Sequence, residues 1–239
     1  MNNNNLTEIC NNINYCPNWK NNNIDCGRDI TSNPKTVEIR NSQKILLITR
    51  DPSNQANKLS YVTNFENSFF RDKVLPILFE DYHIITAKRN IDYFNIFREK
   101  FLELFYWTHY QKCFPGKNNK TGGHKQPKAQ CARIYLRKEI IAAEPEYIIA
   151  MGSKAIKFVT GKSLLDSILQ NENHSVLLDD RMVPVISITH PSNANASKSN
   201  PAYKYEETIA LIQNIVKQYS ESLTQWRSYS FIIQHPPAQ

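Results

Sequence analysis

The sequence holds no run of about 18 apolar residues, and it opens MNNNNLTEIC instead of a basic stretch leading into an apolar one. These absences argue against a membrane span and a secretory signal, so a soluble, cytoplasmic protein is expected. Neither G-x-x-x-x-G-K-S/T nor G-x-G-x-x-G occurs, so the loops that cradle nucleotide phosphates are missing. No internal repeat is evident. Acidic residues are in short supply: 22 Asp and Glu face 29 Lys and Arg, a net charge of +7 that favours a polyanionic partner. Cysteines number five, an odd count in a chain without an export signal, which argues against a disulfide framework and leaves metal ligation or plain burial. What is present, 239 residues of which 41% are apolar, suffices for one full core or two small ones.

Residues 1–43 are dominated by Asn and carry too little apolar content to fold alone, so this segment must be docked or remain loose. At Lys44 the composition shifts. Ile45 to Thr49 is a β-branched apolar run entering the turn RDPSN and reads as the first core strand. The spacing of Phe65, Phe69, Phe70, Val74 and Leu78 predicts a helix, Tyr82 to Ala87 a second strand, and Ile91 to Phe105 another helix. Phe105 to Tyr110 is strand-like and runs into KCFPGKNNKTGGHKQPK, a basic loop kept irregular by Pro115, Gly116, Gly122 and Gly123. A helix over Ala129 to Ala143 follows. Tyr147 to Met151 then reads as a strand turning at Gly152 into a helix, and Val183 to Thr189 as the last strand, ending at His190. Pro201 to Tyr219 closes a domain over 44–219 as a helix, and 220–239, with Trp226, Pro236 and Pro237, reads only as a tail. Strands alternating with longer helices predict a three-layer α/β/α sandwich with a mostly parallel sheet, whose ligands bind at the carboxyl ends of the strands. Asp51, the Thr108 to Cys113 segment and His190 all fall there.

ILLITRDPSN and VPVISITHPSN, with KCFPGKNN, QCARIYLRKEI and EPEYIIAMGSKAIKFVTG between them in that order, resemble the motifs of the uracil-DNA glycosylase superfamily over roughly residues 44–215. The ordering is closest to the family-four, iron–sulfur branch, combined with an Asp-Pro turn like that of family one. The resemblance implies a four-stranded central sheet and a monofunctional DNA glycosylase. Such an enzyme flips out uracil or a modified pyrimidine and hydrolyses its N-glycosidic bond, in repair or in defence against foreign DNA. A DNA-binding protein on the same fold with reduced catalysis is the alternative, and a small-molecule α/β enzyme with a cluster a more distant one.

The bond chemistry fits two residues. Positive charge grows on the sugar and negative charge on the departing base, so a carboxylate and a hydrogen-bond donor are needed. Asp51 and His190 suit those roles. The family-four turn usually carries Glu where this chain has Arg50, and an Asn that reads the uracil edge where this chain has His109. An imidazole cannot present the paired amide face, which points to a base other than uracil. Tyr61 or Phe65 is expected to stack on the flipped base. Lys112, Lys117, Lys120, Lys125 and Lys128 are expected to contact phosphates, and Pro191, Ser192 and Asn193 to Lys198 to enter the groove. The resemblance further implies a 4Fe-4S cluster on Cys16, Cys26, Cys113 and Cys131, with Cys10 a possible substitute among the first pair and zinc the alternative metal. The expected partner is DNA, engaged by a monomer.

Overall fold

The computed structural model describes residues 3–59, 61–171, 174–192 and 195–234. Asn193, Pro236 and Pro237 lie outside them. Five strands form one sheet: β1 Ile45–Thr49, β2 Phe105–His109, β3 Tyr147–Met151, β4 Ser175–Leu178 and β5 Arg181–Ile188. Their order is β2-β1-β3-β5-β4, parallel except for the β4–β5 hairpin. The register pairs Thr49 with His109, Ile48 with Ala150 and Met151 with Ile188, which brings the carboxyl ends of β1, β3 and β5 to one edge.

Side chains alternate across the sheet, and both faces are covered, which is why the central strands read as unbroken apolar runs. Leu47, Trp107, Ile149 and Ile186 pack with Phe70, Phe94 and Phe101 on one face. Leu46, Ile48, Tyr106, Ile148 and Val185 pack on the other with Leu136 and Ile156. A family of edge-to-face and stacked rings, Phe70 with Phe101 and Trp107 among them, fills the first face.

The Asn-rich segment is docked. Asn3–Asn14 is a helix whose Leu6, Ile9, Cys10 and Ile13 recur at helical spacing and are buried in the second face. Each such apolar side chain contributes about 1.5–3 kcal/mol by leaving water, enough to hold a segment that could not fold alone.

Three expectations are corrected. Tyr82 to Ala87 is not a strand: Ile84–Arg89 is a helix, with Ala87 buried, Ile85 exposed, and Asn90 capping the next helix, Ile91–Leu104. The sheet has five strands, because Ser175–Leu178 pairs antiparallel with β5 around a two-residue turn at Asp179, φ +53°. The last helix is Tyr205–Gln234, so it starts after Pro201 and runs well into the expected tail.

Candidate active site

A cavity of about 480 Å³ opens at the carboxyl ends of β1, β3 and β5, and Asp51 and His190 both line it with Phe69, His124, Ser153 and Ser192. Two residues 139 positions apart in sequence thus share one pocket. The turn after β1 is fixed to the extension of β2 by Tyr110 N–H donating to Thr49 O at 2.8 Å and Gln111 N–H to Arg50 O at 2.9 Å. Beyond Asp51, Ser53 accepts from Ala56 N–H and caps the short helix Asn54–Asn57.

His190 stands where β5 ends. Its ring lies parallel to that of Phe69, centroids 5.1 Å apart and planes 12° from parallel. Ser192 N–H donates to His190 Nδ1 at 3.3 Å, which puts the ring proton on Nε2. Burial, reinforced by the Arg50 charge, depresses its pKa to about 4, so the ring is a neutral N–H donor at physiological pH. Gly152 lets β3 end against it: its φ is +88°, and a Cβ there would lie 3.3 Å from His190 Cβ.

The Asp51 side chain is 1% exposed. Burial pushes its carboxyl up, but the hydrogen bond from His124 and the charge of Arg50 outweigh this and hold it below the usual carboxylate range. Arg50 Nε donates to Oδ1, while His124 Nδ1 engages Oδ2. His124 arrives from the basic loop. Lys117 and His124 bridge across a short antiparallel turn, Asn118 N–H donates to Gly123 O at 2.7 Å, and the His124 ring sits edge-on to Phe114. Sequence reasoning missed His124; the only local signal was a histidine following Gly122 and Gly123 in a loop otherwise rich in lysine.

The remaining expected site residues fall in several places. Phe65 packs edge-on to Phe94 with Arg71 over its face, on the core side. Tyr61 is not among the described residues lining the cavity; it lines a separate groove. His109 is 1% exposed, tilted against Trp107, and also absent from the described lining. Burial, with Lys112 nearby, depresses its pKa to about 3. Lys117, Lys120, Lys125 and Lys128 are exposed on the loop that carries His124, with Lys128 Nζ donating to Asp25 O at 2.7 Å. Ser192 lies at the cavity wall.

Lys112 is a correction: it is turned inward, 2% exposed, and cannot meet a phosphate. Its ammonium pairs with Glu139 and donates to Thr108 Oγ1 at 2.5 Å, and Glu139 Oε1 accepts from Tyr106 and Thr108 at 2.8 Å each. A buried charge survives only with such complete pairing.

Cys16, Cys26, Cys113 and Cys131 are free, buried thiols. Burial pushes the Cys113 thiol up, and Cys131, Cys26 and Cys16 push it further. Cys10 is elsewhere, with Sγ 3.3 Å from Tyr106 Oη, and burial raises its pKa to about 11. Among the described residues, no three His, Cys, Asp or Glu side chains are gathered tightly enough to hold a single metal ion. No helix among them is long and apolar enough to cross a membrane.

Compared with protein-family models, residues 37–213, well over half of the chain, match the uracil DNA glycosylase superfamily. No individual curated protein matches the sequence.

Proposed function

Because the chain belongs to the uracil DNA glycosylase superfamily, whose members generally hydrolyse N-glycosyl bonds in DNA, we propose that it excises uracil or a modified pyrimidine from DNA and leaves an abasic site. One observation carries this reading: an anionic Asp51 and a neutral, N–H-donating His190 line the same pocket.

The target nucleotide is flipped into the cavity, at a cost of a few kcal/mol in lost stacking and pairing. Phe69, parallel to His190 on the wall, supplies the aromatic surface expected of Tyr61 or Phe65. As the C1′–N bond lengthens, its electron pair moves to the base, and His190 Nε2–H stabilises the charge gathering on the base oxygen. The Asp51 carboxylate faces the sugar as it becomes cationic. With Asp51 ionised, His124 donates through Nδ1 and keeps an Nε2 lone pair to take a proton from the water that adds at C1′. No lysine is among the described residues lining the cavity, which supports hydrolysis without a Schiff base and without strand cleavage. The exposed Lys117, Lys120 and Lys125 lie on the loop beside the cavity, suited to phosphates.

We assign Cys16, Cys26, Cys113 and Cys131 as ligands of a 4Fe-4S cluster. The donor set, four buried thiols without a disulfide of which three act electrostatically on Cys113, supports a metal centre. Zinc on the same four thiolates is the alternative. When bound, the group would supply a structural tie between the N-terminal segment and the loop; hydrolysis needs no electron from it.

One observation favours the second reading, a DNA binder with reduced catalysis: both oxygens of Asp51 are already engaged, by Arg50 and His124. Duplexes carrying uracil or modified cytosines separate the two. Glycosylase action releases free base, and Asp51→Asn or His190→Ala lowers the rate by about 10²–10⁴-fold. Salt-sensitive binding with no base released from any substrate supports the binder, and full activity in both variants refutes the assigned roles.

A further inference from the structure

A second groove, about 960 Å³ in volume, lies between the N-terminal segment and the residues that follow the helix Asn54–Asn57. Three aromatic side chains line it: Tyr15 and Tyr61, 63% and 58% exposed, and the half-buried Trp19. Lys58 and Arg98 line it too, with the buried Lys35. Large rings left open to water in one groove offer platforms of the kind that bases stack on.

The groove's charge selects an anion. Lys58 is exposed and forms no ion pair among the described residues, Lys20 sits 4.6 Å from the Tyr15 ring centroid, and the lining acid Glu38 is already paired with Arg40. Arg98 shares its charge with Glu99. The two walls are tied together before any ligand arrives, since Lys35 Nζ donates to Leu59 O at 2.7 Å.

We propose that this groove binds an unpaired DNA strand, with bases stacked on Tyr15, Trp19 and Tyr61 and phosphates held by Lys58. A duplex keeps its base faces stacked inside and could use only the cations; a single strand uses both features. The groove and the catalytic pocket are close along the chain. Ser53 lines the pocket and Lys58 the groove, and only the four residues Asn54–Asn57, about 6 Å of helix, separate them. A strand leaving the pocket past this helix would meet the aromatic groove. The preferred substrate therefore carries its target base in, or next to, single-stranded DNA. This rests on the reading of the chain as a DNA-directed glycosylase.

The test is fluorescence anisotropy of a labelled oligothymidine of about 16 nucleotides, with a fully paired duplex of equal length alongside. Tyr61→Ala and Trp19→Ala are expected to weaken single-strand binding roughly 5- to 150-fold each and duplex binding far less. Tyr61→Phe is expected to retain binding, because stacking needs the ring and not the hydroxyl. Single-strand binding unchanged in both alanine variants overturns the groove even if the parent releases base. Binding lost in those variants, in a parent that releases no base from any substrate, upholds the groove and refutes the glycosylase reading.

Discussion

Mild acid should destabilise this protein before its carboxylates begin to titrate. His190 and His109 are held at pKa values of about 4 and about 3 against an ordinary 6.5, first by burial and then by the Arg50 and Lys112 charges respectively. The folded value lies below the unfolded one in both cases. As pH falls through 6.5 the unfolded chain takes up protons that the folded chain refuses, so stability is complete above about 6.5 and declines below it. At pH 5 each histidine removes about 2 kcal/mol, about 4 kcal/mol together, a large part of a typical 5–15 kcal/mol. The His190 contribution levels off below about pH 4 and the His109 contribution below about pH 3. His174 shifts in the same direction, again chiefly through burial. Urea unfolding at pH 8 and pH 5 measures the loss, and His190→Gln should remove about half of the part due to these two rings. A variant that keeps the parental difference, or an NMR titration placing the His190 ring near 6.5, would refute the reasoning.

Three other outcomes are expected. Glu139→Gln leaves the Lys112 ammonium buried without its counter-charge and should destabilise by about 3–5 kcal/mol in urea; a change below about 1 kcal/mol would mean that water reaches the pair. Gly152→Val must adopt φ +88° and press on His190 Cβ 3.3 Å away, so it should lose about 1–3 kcal/mol and slow base release; parental stability would show that the strand end relaxes freely. Purified protein is expected to be brown, absorbing broadly near ~400 nm as thiolate-bound iron–sulfur centres do, and Cys113→Ser with Cys131→Ser to be colourless; a colourless parent holding zinc by elemental analysis refutes the cluster.

How much could be read in advance depended on how many features agreed locally. β1, β3 and β5 are buried on both faces, so their apolar runs had one plausible fate, and the turns that follow them identified Asp51, Gly152 and His190. YHIITA was different. A six-residue segment with His83 and Thr86 among its apolar residues fits either period, and what decides it is Asn90, which caps the next helix and leaves the segment packed as a turn of helix beside it. The β4–β5 hairpin carried no glycine at its turn because Asp179 itself adopts the left-handed conformation, so the usual dipeptide signal was missing. The N-terminal helix was masked by composition: four buried side chains at the right spacing outweigh many exposed asparagines, and an average over the segment hides that.

The site itself was legible as residue types but not as partnerships, and here partnership alters the chemistry. An Asp-Pro turn suggests a bare carboxylate acting as base. The Asp51 carboxylate is instead anchored by Arg50 on one oxygen and His124 on the other, the latter 73 residues away on a loop whose sequence says only that it is basic. Beside a guanidinium, a carboxylate exerts little net field on a cationic sugar. On the proposed reading, the Arg50 side chain is 28% exposed while that of Asp51 is 1% exposed, so a phosphate of the bound strand can compete for the arginine but not for the aspartate. Substrate then uncovers the negative charge that its own hydrolysis requires, and His124, still oriented by Asp51, is left to accept the proton of the attacking water. On that reading, an arginine in the position where the related turn usually carries glutamate is compatible with catalysis, because DNA would take up its charge when the bond is to be broken.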